Sequence, residues 1–239
     1  EYNGATRLTI VGNGAFSGAL SGSGLISISG FAFESVQDLS SFAAGSIFSA
    51  CTLNGGNLGS ATIEKSILNG ALSIADGKIS GCTGSASLTV TDAAAVIENS
   101  TFSSVVLDAD VNFSGNTVDT LVYTGAAAVS LMQNNTVNTI IAPALSKADA
   151  EQLKELNPSA TIYSQENVVA NTAIVGFNQL SVAGYFVDGG KIYQVGVTAF
   201  DALEGLNGKA AGLKTVTVNV DVADGATLYG DTTEATVYT

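Results

Sequence analysis

The sequence predicts an all-β chain built as a parallel β-solenoid of about 6–8 short coils, with one short helix and a smaller β-rich C-terminal segment. Three observations predict it. One short phrase recurs six times between residues 48 and 142. Apolar and polar residues alternate within the phrase, as they do along a strand whose side chains point to opposite faces. The chain carries 27 glycines, and its phrases are rich in β-branched residues, a composition that opposes helix.

The phrases are Phe48-Ser-Ala-Cys-Thr-Leu53, Ile63-Glu-Lys-Ser-Ile-Leu68, Ile79-Ser-Gly-Cys-Thr-Gly84, Ile97-Glu-Asn-Ser-Thr-Phe102, Phe113-Ser-Gly-Asn-Thr-Val118 and Met132-Gln-Asn-Asn-Thr-Val137. Their anchors are 15, 16, 18, 16 and 19 residues apart. Helical repeats need longer units with 3.6-residue periodicity. Coils of this length stack at about 4.8 Å, and one coil alone buries nothing.

Aligned as columns, the phrases separate by chemistry. The anchors Phe48, Ile63, Ile79, Ile97, Phe113 and Met132 are apolar; Ser49, Glu64, Ser80, Glu98, Ser114 and Gln133 are polar. Leu53, Leu68, Phe102, Val118 and Val137 form a second apolar column, interrupted by Gly84. A further apolar stretch holds Leu72, Leu88, Val106, Val122 and Ile141. Three places after each anchor stand Cys51, Ser66, Cys82, Ser100, Asn116 and Asn135, where the coil must turn. Such residues satisfy turn backbone by bonding the neighbouring coil. Cys51 and Cys82 then lie two coils apart, about 9.6 Å by strand spacing. A disulfide needs Cα atoms within about 7 Å, so two free, buried thiols are expected.

Thr52, Ile67, Thr83, Thr101, Thr117 and Thr136 should form an outward rank. Its companion is Asn54, Asn69, Ser85, Ser103, Asp119 and Asn138, not the second threonine rank of an ice-binding face. β-Propensity on a solvated face accounts for the threonines.

Residues 1–47 read as one or two atypical opening coils through Leu8–Val11, Leu25–Ile28, Phe31 and Phe33. The first coil presents unpaired backbone. Glu1 reads as the start of a mature form or of a piece of a longer chain. After Pro143, Ser146-Lys-Ala-Asp149 predicts a helix N-terminus. Ala150, Leu153 and Leu156 at helical spacing carry that helix over 147–156, where it covers a solenoid edge or splices two segments, and Asn157-Pro158 ends it. Thr161–Tyr163 resumes the sheet, which sets the solenoid at 1–163 and the β-rich segment at 164–239. Within that segment, 173–175, 180–187 and 191–197 read as antiparallel strands with a turn at Asp188-Gly-Gly190. A helix with Phe200, Leu203 and Leu206, a strand over Val216–Val222, a turn at Asp224-Gly225 and a new start at Leu228-Tyr229 follow.

The net charge of −13, from 21 acidic and 8 basic residues, disfavours nucleic acid and adsorption to anionic lipid. No apolar run reaches the length of a membrane span. With 12% charged residues and no tryptophan or histidine, the composition looks like that of an exported bacterial surface protein, which is the expected location.

The motif block resembles the right-handed parallel β-helix repeats of bacterial surface proteins, among them autotransporter passengers and polymorphic outer-membrane proteins. Phe113-Ser-Gly-Asn116 fits the F-x-x-N phrase of the latter; Met132-Gln-Asn-Asn135 and Ile97-Glu-Asn-Ser100 are looser versions. The companion G-G-A-I phrase is absent, with Gly125-Ala-Ala-Ala-Val129 nearest to it. Lys191–Val222 resembles the opening of a second β-helical unit. The resemblance implies a non-catalytic structural or adhesive module at the cell surface, with host or microbial glycans or proteins as partners. Self-association through open ends is a further expectation.

The rival class is a carbohydrate-active β-helix, a polysaccharide lyase or hydrolase. Without histidine, neither a Ser–His or Cys–His nucleophile nor an imidazole-ligated metal exists, and Arg7 is the only arginine. The remaining acidic pairs are Asp108 with Asp110, Asp221 with Asp224, and Glu64 stacked near Glu98. None sits in a recognisable catalytic phrase. Acidic turns are weak calcium candidates without EF-hand spacing. Catalytic, cofactor and metal residues are therefore expected to be none. Asn99, Asn112 and Asn134 match glycosylation sequons, which arise by chance in a bacterial chain.

Overall fold

The computed structural model describes residues 1–125, 129–174, 185–188, 190–195, 227–229 and 235–237. The chain divides into two compact units, Glu1–Gln165 and Glu166–Thr239. The first is a parallel β-solenoid. One sheet holds eight parallel strands, from β1 (Leu8–Val11) at one edge to Met132–Gln133 at the other. The second runs from β2 (Ala15–Phe16) to Thr161–Tyr163. Successive coils pair anchor on anchor: Phe48 with Ile63, Ile63 with Ile79, Ile79 with Ile97, Ile97 with Phe113, and Phe113 with Met132. Two earlier coils extend the column, since Ile10 pairs with Ile28 and Ile28 with Phe48.

Anchors from Phe48 to Met132 are buried, as are Leu53, Leu68, Phe102, Val118 and Val137 of the second sheet. Each fully buried side chain of this size contributes about 1.5–3 kcal/mol, and both columns belong to one core. Unequal coil lengths are absorbed at corners. Leu72 pairs with Leu88 but Lys78 with Val96, which leaves the two extra residues of that coil in the loop before Val96. The coil from Phe113 to Met132 takes its insertion between Tyr123 and Met132, where Val129–Leu131 form a 3-10 turn.

The third apolar stretch is not one column. Leu72 and Leu88 align with Val105, Leu121, Ile140 and Ile162, and these face the core. Val106, Val122 and Ile141 instead continue the line of Ser73 and Thr89. The coil pairs at an offset of 18 at Thr83 and Thr101 but 17 at Leu88 and Val105 (the slip lies between them), so counting from the anchor misplaces every residue beyond it by one.

Helix α1 spans Lys147–Leu156 as the sequence predicts, with the Ser146 side chain accepting from the Asp149 N–H at 3.2 Å. It covers the edge of the eight-stranded sheet: Leu153 is buried in the core, and the Asn134 N–H donates to the Leu156 carbonyl. Thr161–Tyr163 adds the expected further strand, paired with Thr139–Ile141.

In the second unit, Tyr185–Asp188 and Lys191–Val195 form the predicted antiparallel hairpin. Val168–Ile174 pairs with Lys191–Val195 in parallel, not antiparallel as read from sequence. Two residues suffice for a hairpin, whereas a parallel pair needs a connection of about a dozen or more, and residues 175–190 supply it. Thr227–Tyr229 pairs antiparallel with Ala235–Val237. The predicted helix at 200–206, the strand at 216–222 and the turn at 224–225 lie outside the described residues.

Candidate functional site

The most constructed feature of the solenoid is the corner after each anchor. Two places past the anchor the backbone turns left-handed in seven successive coils: Gly30, Ala50, Lys65, Gly81, Asn99, Gly115 and Asn134, with φ between 48° and 86°. Glycine and asparagine suit that conformation; alanine and lysine adopt it at a steric cost. Asn99 and Asn134 therefore have a backbone reason to be asparagine, apart from any sequon.

One place further, the side chains turn inward and are buried: Cys51, Ser66, Cys82, Ser100, Asn116 and Asn135. They form the ladder that the sequence predicts. The N–H of Cys51 donates to Ser66 Oγ, that of Cys82 to Ser100 Oγ, that of Ser100 to Asn116 Oδ1 and that of Asn116 to Asn135 Oδ1, at 2.9–3.0 Å. In the other direction Asn116 Nδ2 donates to the Ile97 carbonyl and Asn135 Nδ2 to that of Phe113. The thiols of Cys51 and Cys82 reach the equivalent carbonyls of Ile28 and Ile63. A thiol and an amide thus fill one role. Asn157, the C-cap of α1, is the last rung: its Oδ1 accepts from the Asn135 N–H and its Nδ2 donates to the Met132 carbonyl.

Both cysteines are free. Burial is the main cause that pushes both thiols above their ordinary pKa, with backbone hydrogen bonds acting against it. They are protonated rungs rather than nucleophiles.

The acidic pairs do not converge. Glu64 and Glu98 both flank Ser80 in register, so they are two coils apart. Glu98 instead bonds Lys78 Nζ at 2.7 Å and Ser80 Oγ at 2.9 Å. Those bonds hold its carboxyl below the usual glutamate pKa, so it is ionised and unsuited to donate a proton. Asp108 and Asp110 stand in the turn between coils and engage different partners. Tyr123 Oη donates to Asp110, and Thr124 Oγ1 to Asp108 at 3.4 Å. Asp221 and Asp224 lie outside the described residues. Among the described residues no group of three or more His, Cys, Asp or Glu could hold a metal ion, and no helix is long and apolar enough to cross a membrane.

The outward face of the second sheet is the remaining candidate. In the threonine rank, Thr52 pairs with Ile67 and Ile67 with Thr83, Thr101 pairs with Thr117 and onward to Thr136, and between the two runs the Thr101 N–H donates to the Cys82 carbonyl. Its companion is cross-linked along the stack: Asn54 Nδ2 donates to the Phe33 carbonyl, Asn69 Nδ2 to Asn54 Oδ1, and Asn138 Nδ2 to Asp119 Oδ1 at 3.0 Å. Beside it Ser87, Ser104, Thr120, Thr139 and Thr161 align in a further rank of hydroxyls, of which Ser104 is buried and donates to Ser87 Oγ at 3.0 Å. The left-handed corner and the Asn157 rung escaped the sequence reading. The glycines and asparagines of the corner column were a usable signal, partly masked by Ala50 and Lys65.

Comparison with protein-family models, with curated proteins and with solved structures finds no match.

Proposed function

We propose that this chain is a non-catalytic structural or adhesive module of an exported bacterial surface protein, whose coil stack displays a regular polar face to host or microbial glycans or proteins. One observation carries the reading: two outward ranks, mostly of short hydroxyl and amide side chains, run along the coils, and neighbouring coils hydrogen-bond within the asparagine rank. Such groups lose little conformational entropy on contact and offer repeated donors and acceptors, which suits an extended polar partner. The corner ladder makes the support rigid. Sparse charge and the resemblance of the repeat to surface β-helices support the location.

The test is binding of the purified chain to immobilised glycans and matrix proteins, alongside incubation with a polysaccharide panel. Saturable binding that Thr117→Lys and Asn138→Lys weaken is the expected result. Absence of binding reduces the role to a spacer. Release of reducing or unsaturated sugar ends overturns the reading in favour of the carbohydrate-active rival.

A further inference from the structure

The tripeptide Leu-Asn-Gly stands in two successive coils, Leu53-Asn54-Gly55 and Leu68-Asn69-Gly70, with Leu53 paired to Leu68 and Asn54 to Asn69. A glycine after asparagine lets its nitrogen approach the side-chain carbonyl carbon, because no Cβ stands in the way. Both glycines are left-handed, with φ +96° at Gly55 and +69° at Gly70. Pairing of the two coils slips between Asn54 and Gly56, so Gly55 has no register partner there. A Cβ at residue 70 would rest 3.5 Å from the Asn54 carbonyl carbon and the Gly55 nitrogen, so Gly70 leaves that peptide room to rotate.

The two asparagines are not equivalent. Asn54 Nδ2 donates to the Phe33 carbonyl at 2.8 Å, which turns Oδ1 toward the next coil, where it accepts from Asn69 Nδ2 at 3.1 Å. Among the described residues nothing donates to Asn69 Oδ1.

We propose that Asn54 is a self-modification site, where the Gly55 nitrogen displaces the side-chain amide under activation by Asn69. The Gly55 nitrogen gives its proton to hydroxide and bonds Asn54 Cγ. The Cγ–Nδ2 bond then breaks, and ammonia leaves with a proton taken from water. Water opens either carbonyl of the resulting succinimide, which leaves aspartate or isoaspartate at position 54. In sum, one amide and one water become one carboxylate and one ammonium. Asn54 is exposed, so water and hydroxide reach it.

Negative charge gathers on Asn54 Oδ1 as the new bond forms, and the Asn69 N–H already points at that atom. Asn69 has no such donor of its own. The products follow the same asymmetry. A carboxylate at position 54 keeps the Asn69 bond in charge-assisted form, whereas one at position 69 would face Asn54 Oδ1, acceptor to acceptor. The reaction places a negative charge in the asparagine rank, whatever that face binds.

The experiment ages the purified chain at mildly alkaline pH, folded and in urea. Peptide mapping by mass spectrometry follows both Asn-Gly pairs, and enzymatic methylation detects isoaspartate. In urea the two pairs should convert at nearly equal rates. In the folded chain Asn54 should convert faster than Asn69 by about three- to tenfold, the worth of one hydrogen bond. Asn69→Ala, with circular dichroism to confirm folding, should slow Asn54 by a similar factor in the folded chain and leave it unchanged in urea. A bond that merely held Asn54 still would give the opposite sign, with faster conversion in the variant. Three results overturn the proposal: Asn69 converting as fast as Asn54 in the folded chain, Asn54 converting only in urea, or a folded Asn69→Ala chain in which Asn54 converts no more slowly. The comparison of the two pairs needs no variant, so it tests the proposal on the unaltered chain.

Discussion

Gly81→Ala isolates the cost of the left-handed corner. Gly81 has φ +63°, and a Cβ built there meets nothing closer than Lys65 Cγ at 3.8 Å, an ordinary contact. Sterics with neighbours therefore contribute nothing, and the whole effect is backbone conformation. A left-handed non-glycine residue costs about 1–2 kcal/mol, and the lower entropy of the unfolded alanine chain returns about 0.4–1 kcal/mol. The net expectation is destabilisation by about 1 kcal/mol. Lys65→Gly, at φ +48°, runs the same exchange backwards and should stabilise by a similar amount. Gly14→Ala is the control, because its φ is not in the left-handed range and no atom lies within 4 Å of the added Cβ. Urea unfolding followed by far-ultraviolet circular dichroism, with unchanged slopes, gives the three values. A neutral Gly81→Ala, or a destabilising Lys65→Gly, refutes the assignment of this column to the left-handed corner.

Asn116→Ala should cost about 2–4 kcal/mol, because it orphans the buried Ser100 N–H and the Ile97 carbonyl together; Asn116→Ser, which copies the rung used at Ser66 and Ser100, should lose less than half as much in the same urea assay. Alkylation at pH 8 should label neither cysteine in folded protein and both in denaturant. Because burial raises both folded thiol pKa values, their contribution to stability is full below the ordinary value of 9.0 and is lost as pH rises from there through the folded values; the double Cys51→Ala, Cys82→Ala variant should show a shallower alkaline decline. The lowered pKa of Glu98 works in the opposite sense: its contribution is present above the ordinary 4.5 and is lost as pH falls through the lowered folded value. With the pair partly exposed, screening limits the effect of Lys78→Met to about 0.5 kcal/mol at neutral pH, measured by thermal unfolding and shrinking in salt.

The anchor column was legible because a buried position tolerates only apolar residues, so Phe48 through Met132 repeat visibly despite uneven spacing. The corner rungs were legible for the related reason that a buried turn demands small polar groups, and the helix was legible through Ser146 and its leucines. Val106 was misplaced against Val105 because a pairing slip changes register without changing composition. Asn157 was read only as the end of α1, since a helix interrupts the phrase that would have aligned it with Asn135. The parallel pairing of Val168–Ile174 was hidden because pairing partners are non-local and the strand itself carries no mark of direction. For the candidate site, chain proximity suggested acidic pairs that the fold distributes to separate partners: Glu98 to Lys78 and Ser80, Asp110 to Tyr123. The outward ranks were visible as columns, but their hydrogen bonds along the stack required the coil register.

That register is the central claim, and oxidation of a Ser66→Cys variant tests it most directly. Ser66 lies between Cys51 and Cys82 in the corner column, one coil from each, at about 4.8 Å and within disulfide reach. Mass spectrometry of the mildly oxidised native variant should find a single disulfide joining residue 66 to Cys51 or Cys82 and one free thiol, while the parent chain under the same oxidant keeps both thiols free. A Cys51–Cys82 crosslink in the folded parent, or three free thiols in the variant, would contradict the stacking of coils on which every column rests.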